Sequence, residues 1–328
     1  MLTQSIWQQL NHDSVLDIVE KTIQEKLSNL VRARNSYINR VYELEKHASR
    51  ERLVVKFYRP GRWTKAMILE EHQFLAELAA KELPVVPPLT IDGQTLFEFS
   101  PAETAIYFAI FPKKGGRALD EFDQEGWEEI GRIIARIHLV GALHKESQRI
   151  IWRPAVATAQ HLDVLLKGNY LLSDFKPGFK QITEQFIEKA DPFFADQEFI
   201  KLHGDCHKGN FIHRPGEGIY VVDFDDICVG PPMQDLWLLL PGTPDHCENE
   251  LGWFLKGYEV FRPFDRRTLE LVPLLRGMRL IHFAAWLSVQ SPEPDFARHF
   301  PEAGNKRYWN ELIKELQEIY FGFLPQSR

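Results

Sequence analysis

The chain has 328 residues, 44% apolar and 26% charged, the balance of an ordinary globular protein with room for two domains or one two-lobed unit. A formal net charge of -7 argues against a sequence-independent nucleic-acid binder, and no apolar run reaches membrane-spanning length. Three irregularly spaced cysteines, Cys206, Cys228 and Cys247, exclude a disulfide framework; with no signal-peptide pattern at Met1 to Gln4, the expectation is a reduced, cytoplasmic protein.

Ser14 and Asp17 have capping-box spacing, and Val15, Val19, Ile23 and Leu27 follow at helical spacing, which predicts a first helix. Strand-like runs follow at residues 37–44 and 53–58, the second stopped by Arg59-Pro60-Gly61. Residues 67–80 read as an amphipathic helix closed by Leu83-Pro84-Val85, and short strands follow around 94–99 and 107–111. Pro112-Lys113-Lys114-Gly115-Gly116 then breaks the chain. Beyond the break the pattern is mostly helical, with Ile130, Ile133, Ile134 and Ile137 marking one helix and residues 268–287 and 308–320 two more. Between them lies a strand-rich island, 200–226, dense in Asp, His, Gly and Asn. The predicted fold is α+β and protein-kinase-like: a small β-rich N-terminal lobe (1–111) and a larger helical lobe (112–328) that carries the polar island.

The island holds His203-Gly204-Asp205-Cys206-His207-Lys208-Gly209-Asn210. An Asp and an Asn five residues apart on a tight loop can act together at one spot, since the carboxylate orients an attacking hydroxyl and the amide oxygen is a hard ligand for Mg2+. A dozen residues on, Asp223, Asp225 and Asp226 follow Val221 and Val222. Strand alternation puts Asp223 and Asp225 on one face, where two carboxylates need a cation between them, and turns Asp226 away. An isolated Asp is more often a turn cap, but the paired motifs outweigh that reading. His203, Cys206 and His207 hint at zinc, yet no fourth ligand stands at a usual spacing, and His203 is expected to brace the loop. Asp235 is expected to cap a helix or to brace the same loop.

Lys56 sits mid-strand on the face of Val54 and Tyr58. An exposed edge lysine is the competing reading, but Glu71 falls near the centre of the apolar stripe Ile68, Leu75 and Leu78, with Glu70 toward its edge. A core-facing carboxylate needs a cation, and a strand Lys paired with a helix Glu positions ATP phosphates in kinases. The polar stretch 35–42 offers Ser36 and backbone N–H groups over the phosphates, an ordinary polar turn being the alternative. No Walker-type phosphate loop occurs. The acidic run Asp120, Glu121, Asp123, Glu125, Glu128 and Glu129 reads as a solvated helix start, with recruitment of a cationic substrate as the sharper alternative.

HGDCHKGN followed by VVDFDD resembles the H-G-D-x4-N and D-x-D motifs of the aminoglycoside phosphotransferase and choline kinase superfamily. NSYINRVYEL, VVKFYRP, RWT, ILEEHQFLAEL, FPKKGGR and PPMQDLWLLL, spread over most of the chain, are similar to its bacterial stress-response kinases. The resemblance implies Asp205 as catalytic base, Asn210 and Asp223 as Mg2+ ligands, Ser36 as an ATP contact, and Lys56 with Glu71 as the phosphate-positioning pair. It also implies a monomeric, cytoplasmic serine/threonine protein kinase that protects cells under envelope or oxidative stress. Residues 224–234 leave no room for a long activation segment, so a small hydroxylated acceptor (amino alcohol, sugar or aminoglycoside) stays open. A catalytically silent nucleotide-binding adaptor is opposed by the complete set Lys56, Asp205, Asn210 and Asp223.

Overall fold

The computed structural model describes residues 10–34, 36–100, 105–118, 121–144 and 146–322. The residues Met1 to Gln4, Asn35 and Asp120 discussed above lie outside that set. Helix α1 (His12–Ile23) is capped by Asn11, whose side chain accepts from the Ser14 N–H at 2.9 Å, in place of the Ser14 box. The helical stripe expected to include Leu27 stops earlier, because Gln24 turns left-handed (φ 56°) and Leu27 opens a strand that the periodicity concealed.

Strands β1 (Leu27–Ala33), β2 (Arg40–Lys46), β3 (Arg52–Phe57), β4 (Phe97–Phe99) and β5 (Ile106–Pro112) form an antiparallel sheet in the order β1-β2-β3-β5-β4. The first strand-like run begins later than its residue pattern indicates, since 37–39 are a bend. Alternation along β3 divides the sheet's faces. Leu53, Val55 and Phe57 pack with Val15 and Val19 of α1 and with Phe108 and Ile110. Lys56 therefore faces the other side, where helix α2 (Lys65–Ala80) lies. Helix α2 is capped by Thr64 and buries Ile68, Glu71, His72, Phe74, Leu75 and Leu78.

After β6 (Arg117–Ala118) the chain is dominated by helices α3 (Gln124–Gly141), α4 (Ala159–Lys167) and α5 (Lys176–Ala190). The short strands β7 (Ile200–Leu202), β8 (Phe211–Arg214), β9 (Gly218–Val221) and β10 (Cys228–Gly230) follow, paired as a β10-β7 ribbon and a β6-β8-β9 sheet. Helices α6 (Met233–Trp237), α7 (Glu248–Tyr258), α8 (Val272–Gln290), α9 (Phe296–His299) and α10 (Lys306–Gly322) complete the lobe. Helices α3 and α7 cross so closely that a Cβ on Gly131 would stand 2.1 Å from the Phe254 carbonyl oxygen and one on Gly257 1.9 Å from that of Glu128. The main core runs through these helices and takes in Phe74, Leu75 and Leu78 of α2, so α2 packs against both lobes. Within the acidic run, Asp123 caps α3, Glu128 pairs with Lys256 at 2.7 Å, and Glu129 accepts from the Ile219 N–H at 3.0 Å.

Candidate active site

Strand β7 delivers the loop of His203, Gly204 and Asp205. Gly204 has φ +84°, and a Cβ there would lie 2.0 Å from the Asp226 carbonyl oxygen, so only glycine fits. Below the loop, Asp235 of α6 is fully buried and accepts from the His203 N–H (2.9 Å), the Gly204 N–H (2.8 Å) and His138 Nε2 (3.2 Å). His203 Nε2 donates to the Val222 carbonyl at 2.9 Å, joining the loop to the end of β9. Cys206 is buried and His207 caps the turn Lys208–Asn210, so the three zinc-suggestive side chains serve different partners.

Asp205 Oδ1 receives Arg279 Nη2 of α8 at 2.7 Å, and Oδ2 lies 3.4 Å from His207 Nε2. Burial alone would raise this carboxyl; the hydrogen bond to His207 and the Arg279 charge hold it well below the usual carboxylate range. Its carbonyl accepts from Asn210 Nδ2 at 2.9 Å, which orients the amide and leaves Asn210 Oδ1 with no hydrogen-bond donor among the described residues.

The metal-binding strand of the sequence reading ends early. Strand β9 stops at Val221, Asp223 is left-handed (φ 64°, ψ 62°), and Phe224–Asp226 form a 3-10 turn. Alternation therefore does not govern these aspartates: the turn, not a strand face, distributes them. A non-glycine residue in this conformation is strained and persists where its surroundings over-determine it. The Asp223 side chain is 59% exposed. Asp225 is buried and its oxygens are already engaged, Oδ1 by Lys56 Nζ at 2.9 Å, Oδ2 by Arg62 Nη1 at 2.7 Å and Asn39 Nδ2 at 3.1 Å. Asp226, expected to point away, is held by Arg62 Nη2 at 2.6 Å.

Lys56 Nζ lies 3.6 Å from Glu71 Oε1 and 3.8 Å from Asp223 Oδ1, in addition to Asp225. Burial penalises the ammonium, but the Asp225 and Glu71 carboxylates more than offset it, and its pKa stands well above the ordinary lysine value. Burial pushes the Glu71 carboxyl up to about 7, against the opposing pull of Lys56 and Arg149. Glu70 instead meets Lys201 Nζ at 2.7 Å.

Lys56, Glu71, Asp205, Asp223 and Asp225 line one cleft of about 1090 Å³, while Asn210 lies on the loop behind Asp205. Its lining also includes Ser36, Val54 and the break segment from Phe111 to Lys114, and, on and beside helix α8, Trp152, His161, Arg279, His282 and Trp286. Ser36 Oγ accepts from the Asn39 N–H at 3.3 Å. Arg62, Arg149, Arg279 and the His161–His282 pair were not singled out from the sequence. Arg62 carried a signal only in the segment RWT; the others sit in helix or loop contexts where an arginine or histidine is unremarkable. Among the described residues, no helix is long and apolar enough to cross a membrane.

A five-stranded antiparallel lobe over a helical lobe, with a Lys–Glu pair facing an Asp/Asn loop and an aspartate turn across a cleft, is the arrangement of a kinase-like phosphotransferase. The chain belongs to the phosphotransferase enzyme family, whose pattern matches residues 30–272. It is 36% identical over 309 residues to stress response kinase A of Escherichia coli strain K12, covering 92% of this chain and 90% of that one. It is 36% identical over 280 residues to a Salmonella typhimurium protein described as serine/threonine protein kinase RdoA, covering 84% of this chain and 82% of the relative. Among solved structures, amicoumacin kinase hAmiN in complex with AMP-PNP, Ca2+ and Ami aligns with a TM-score of 0.77 at 18% identity, covering 98% and 96% of the two chains. Choline kinase LicA from Streptococcus pneumoniae aligns at 0.64 and 17%, covering 93% and 99%.

Proposed function

We propose that this phosphotransferase moves the γ-phosphoryl of ATP, with Mg2+, onto a serine or threonine hydroxyl of a protein, as a monomeric cytoplasmic kinase of the bacterial stress response. The observation that carries the donor half is that Lys56, with Glu71 behind it, faces Asp223 across the cleft that also holds Asp205. The donor set fits the metal. Among the described residues no three His, Cys, Asp or Glu side chains cluster into a ready-made cage, which suits an ion that takes one or two protein ligands and fills its shell with phosphate and water. Asn210 Oδ1 and the exposed carboxylate of Asp223 are the ligands we assign. Asp225, a third ligand in the sequence reading, is engaged by two cations and is assigned the role of fixing Lys56. Mg2+, when bound, supplies charge neutralisation on the phosphates.

Lys56 and backbone groups near Ser36 bind and orient the phosphates. Asp205 accepts a hydrogen bond from the acceptor hydroxyl and aims its oxygen. Because Asp205 holds its proton so weakly, it orients before it accepts, which suits a loose transfer in which the nucleophile needs little activation. The names of the two relatives support a protein acceptor. A small hydroxylated acceptor is the second reading, favoured by the ring-lined wall beside helix α8, where Trp152, His282 and Trp286 can enclose a compact molecule.

Radiolabelled ATP, offered with a basic protein, a casein and a panel of alcohols, tests both. Label on protein Ser/Thr supports the first reading and label only on an alcohol the second; no Mg2+-dependent turnover anywhere overturns the proposal. Asp205→Ala should cut turnover by roughly 10²–10⁴-fold while ATP still binds. Asp223→Ala should also weaken Mg2+-ATP binding. Near-full turnover in Asp205→Ala would remove the mechanism.

A further inference from the structure

Helix α2 carries Glu71, yet it is fastened to the C-terminal lobe. Besides its apolar residues in that lobe's core, Glu70 accepts from Ser147 Oγ at 2.5 Å and the Gln148 N–H at 2.8 Å as well as meeting Lys201, and Glu77 meets His144 Nε2 at 2.5 Å. In switched kinases the Lys–Glu pair and the metal-binding aspartate are brought into place by movement of this helix and of an activation segment. Here residues 224–234 contain only the aspartate turn, strand β10 and the start of α6.

Arg149, between α3 and α4, sits at the centre of the joint with its side chain wholly buried. Its Nε donates to the Met67 carbonyl of α2 at 3.2 Å, and its Nη1 donates to the Asp225 carbonyl in the aspartate turn at 2.8 Å. The guanidinium lies over the Trp63 ring, 4.3 Å from its centroid. Its Nη2 is 3.7 Å from Glu71 Oε2, and among the described residues neither of these two atoms has a hydrogen-bond partner. Arg149 thus adds a second buried cation beside Glu71, whose other oxygen faces Lys56 at 3.6 Å, and removing Arg149 takes away part of what offsets the burial of that carboxyl. One side chain therefore touches both the helix that presents Glu71 and the turn that presents Asp223.

We propose that Arg149 is a positioning residue that holds Glu71 with Lys56, and the aspartate turn with both, as one unit. This rests on the phosphoryl-transfer reading above. Arg149 touches no substrate; it acts through Glu71 and the turn.

Arg149→Met removes a buried cation and can fail to fold, so the deciding variant is Arg149→Lys, which keeps the charge and loses the forked donors. In the wild-type background Arg149→Lys should lower kcat by roughly tenfold, the size of a strong pairwise coupling, with the KM for Mg2+-ATP changed no more than about threefold. In the Glu71→Gln background the same substitution should cost no more than about threefold in the residual turnover, because the partner it positions is already lost. Thermal melts run alongside. A kcat within twofold of wild type overturns the proposal. So does a loss that multiplies in full with Glu71→Gln, or one that follows the fraction unfolded, since either is what a purely structural arginine gives. A wild-type enzyme that transfers phosphate to nothing sinks the function reading and this inference together; an active wild type with an indifferent Arg149→Lys sinks this inference alone.

Discussion

The parts of the cleft proposed to hold the donor and the acceptor are built by opposite means. At the donor end Lys56, Arg62 and Arg149 interleave with Glu71, Asp225 and Asp226, and each charge meets an opposite one within 4 Å. On the proposed acceptor side the walls are rings: Phe283 and Trp286 stack at 5.6 Å with an interplanar angle of 10°, and His161 Nε2 lies 3.1 Å from His282 Nδ1 beside Trp152. Burial holds both imidazoles uncharged near neutral pH, His161 falling to about 4 and His282 well below its ordinary value. A charge lattice fixes distances, which a triphosphate and its metal demand whatever the acceptor. Ring surfaces fix shape, and shape is what differs from one acceptor to the next.

Three perturbations probe that contrast. The largest effect is expected at Asp235→Ala, beneath both ends. It strips the buried His203 and Gly204 N–H groups of their acceptor, and urea unfolding should register a loss of about 3 kcal/mol or more. Turnover should fall with any acceptor, since the loop carrying Asp205 and Asn210 loses its floor. Next comes Trp286→Ala, for which steady-state kinetics should show the acceptor KM rising about tenfold and the ATP KM unmoved. An equal rise in both would mean that the two ends are not separable.

The smallest effect is expected at His207→Gln. The hydrogen bond to Asp205 raises the His207 pKa above its ordinary value, so the folded state holds this proton more tightly than the unfolded chain. The stabilisation is then fully present below about pH 6 and fades as pH rises through the folded pKa. With the His207 side chain 44% exposed, solvent screening limits it to a few tenths of a kcal/mol, on the order of a surface pair. Melting temperatures of the two proteins should differ at about pH 6 and converge by about pH 9; a gap that widens with pH would contradict the sign.

The donor end was the more legible in the sequence because its parts are short linear patterns. A lysine in mid-strand, a glutamate in an apolar helical stripe, and Asp and Asn at fixed spacing each carry their own local anomaly. Helical periodicity favoured Glu71 over Glu70 but left the pairing open; the folded chain puts Glu71 3.6 Å from Lys56 and Glu70 on Lys201. Reading β9 on to Asp226 failed for a local reason too, since the left-handed Asp223 breaks the alternation and no neighbouring glycine announces it. The second strand-sized surprise, β1, hid behind a leucine that happened to stand four residues after Ile23. The acceptor end stayed dark because it is assembled from residues 148–161 and 279–286, which meet only in the folded chain. Arginines such as Arg149 and Arg279 become functional candidates through their partners, and partners at long range are what a single sequence withholds.

Gly204 carries a consequence for how this protein can change. Its missing side chain lets the 203–205 loop lie against the Asp226 carbonyl, so the backbone path of one motif is a mould of the other. Two segments some twenty positions apart are therefore a single heritable object. Recombination between relatives that exchanged one without the other would join a loop and a turn shaped for different counterparts, whereas breakpoints outside residues 203–226 would carry the pair across intact.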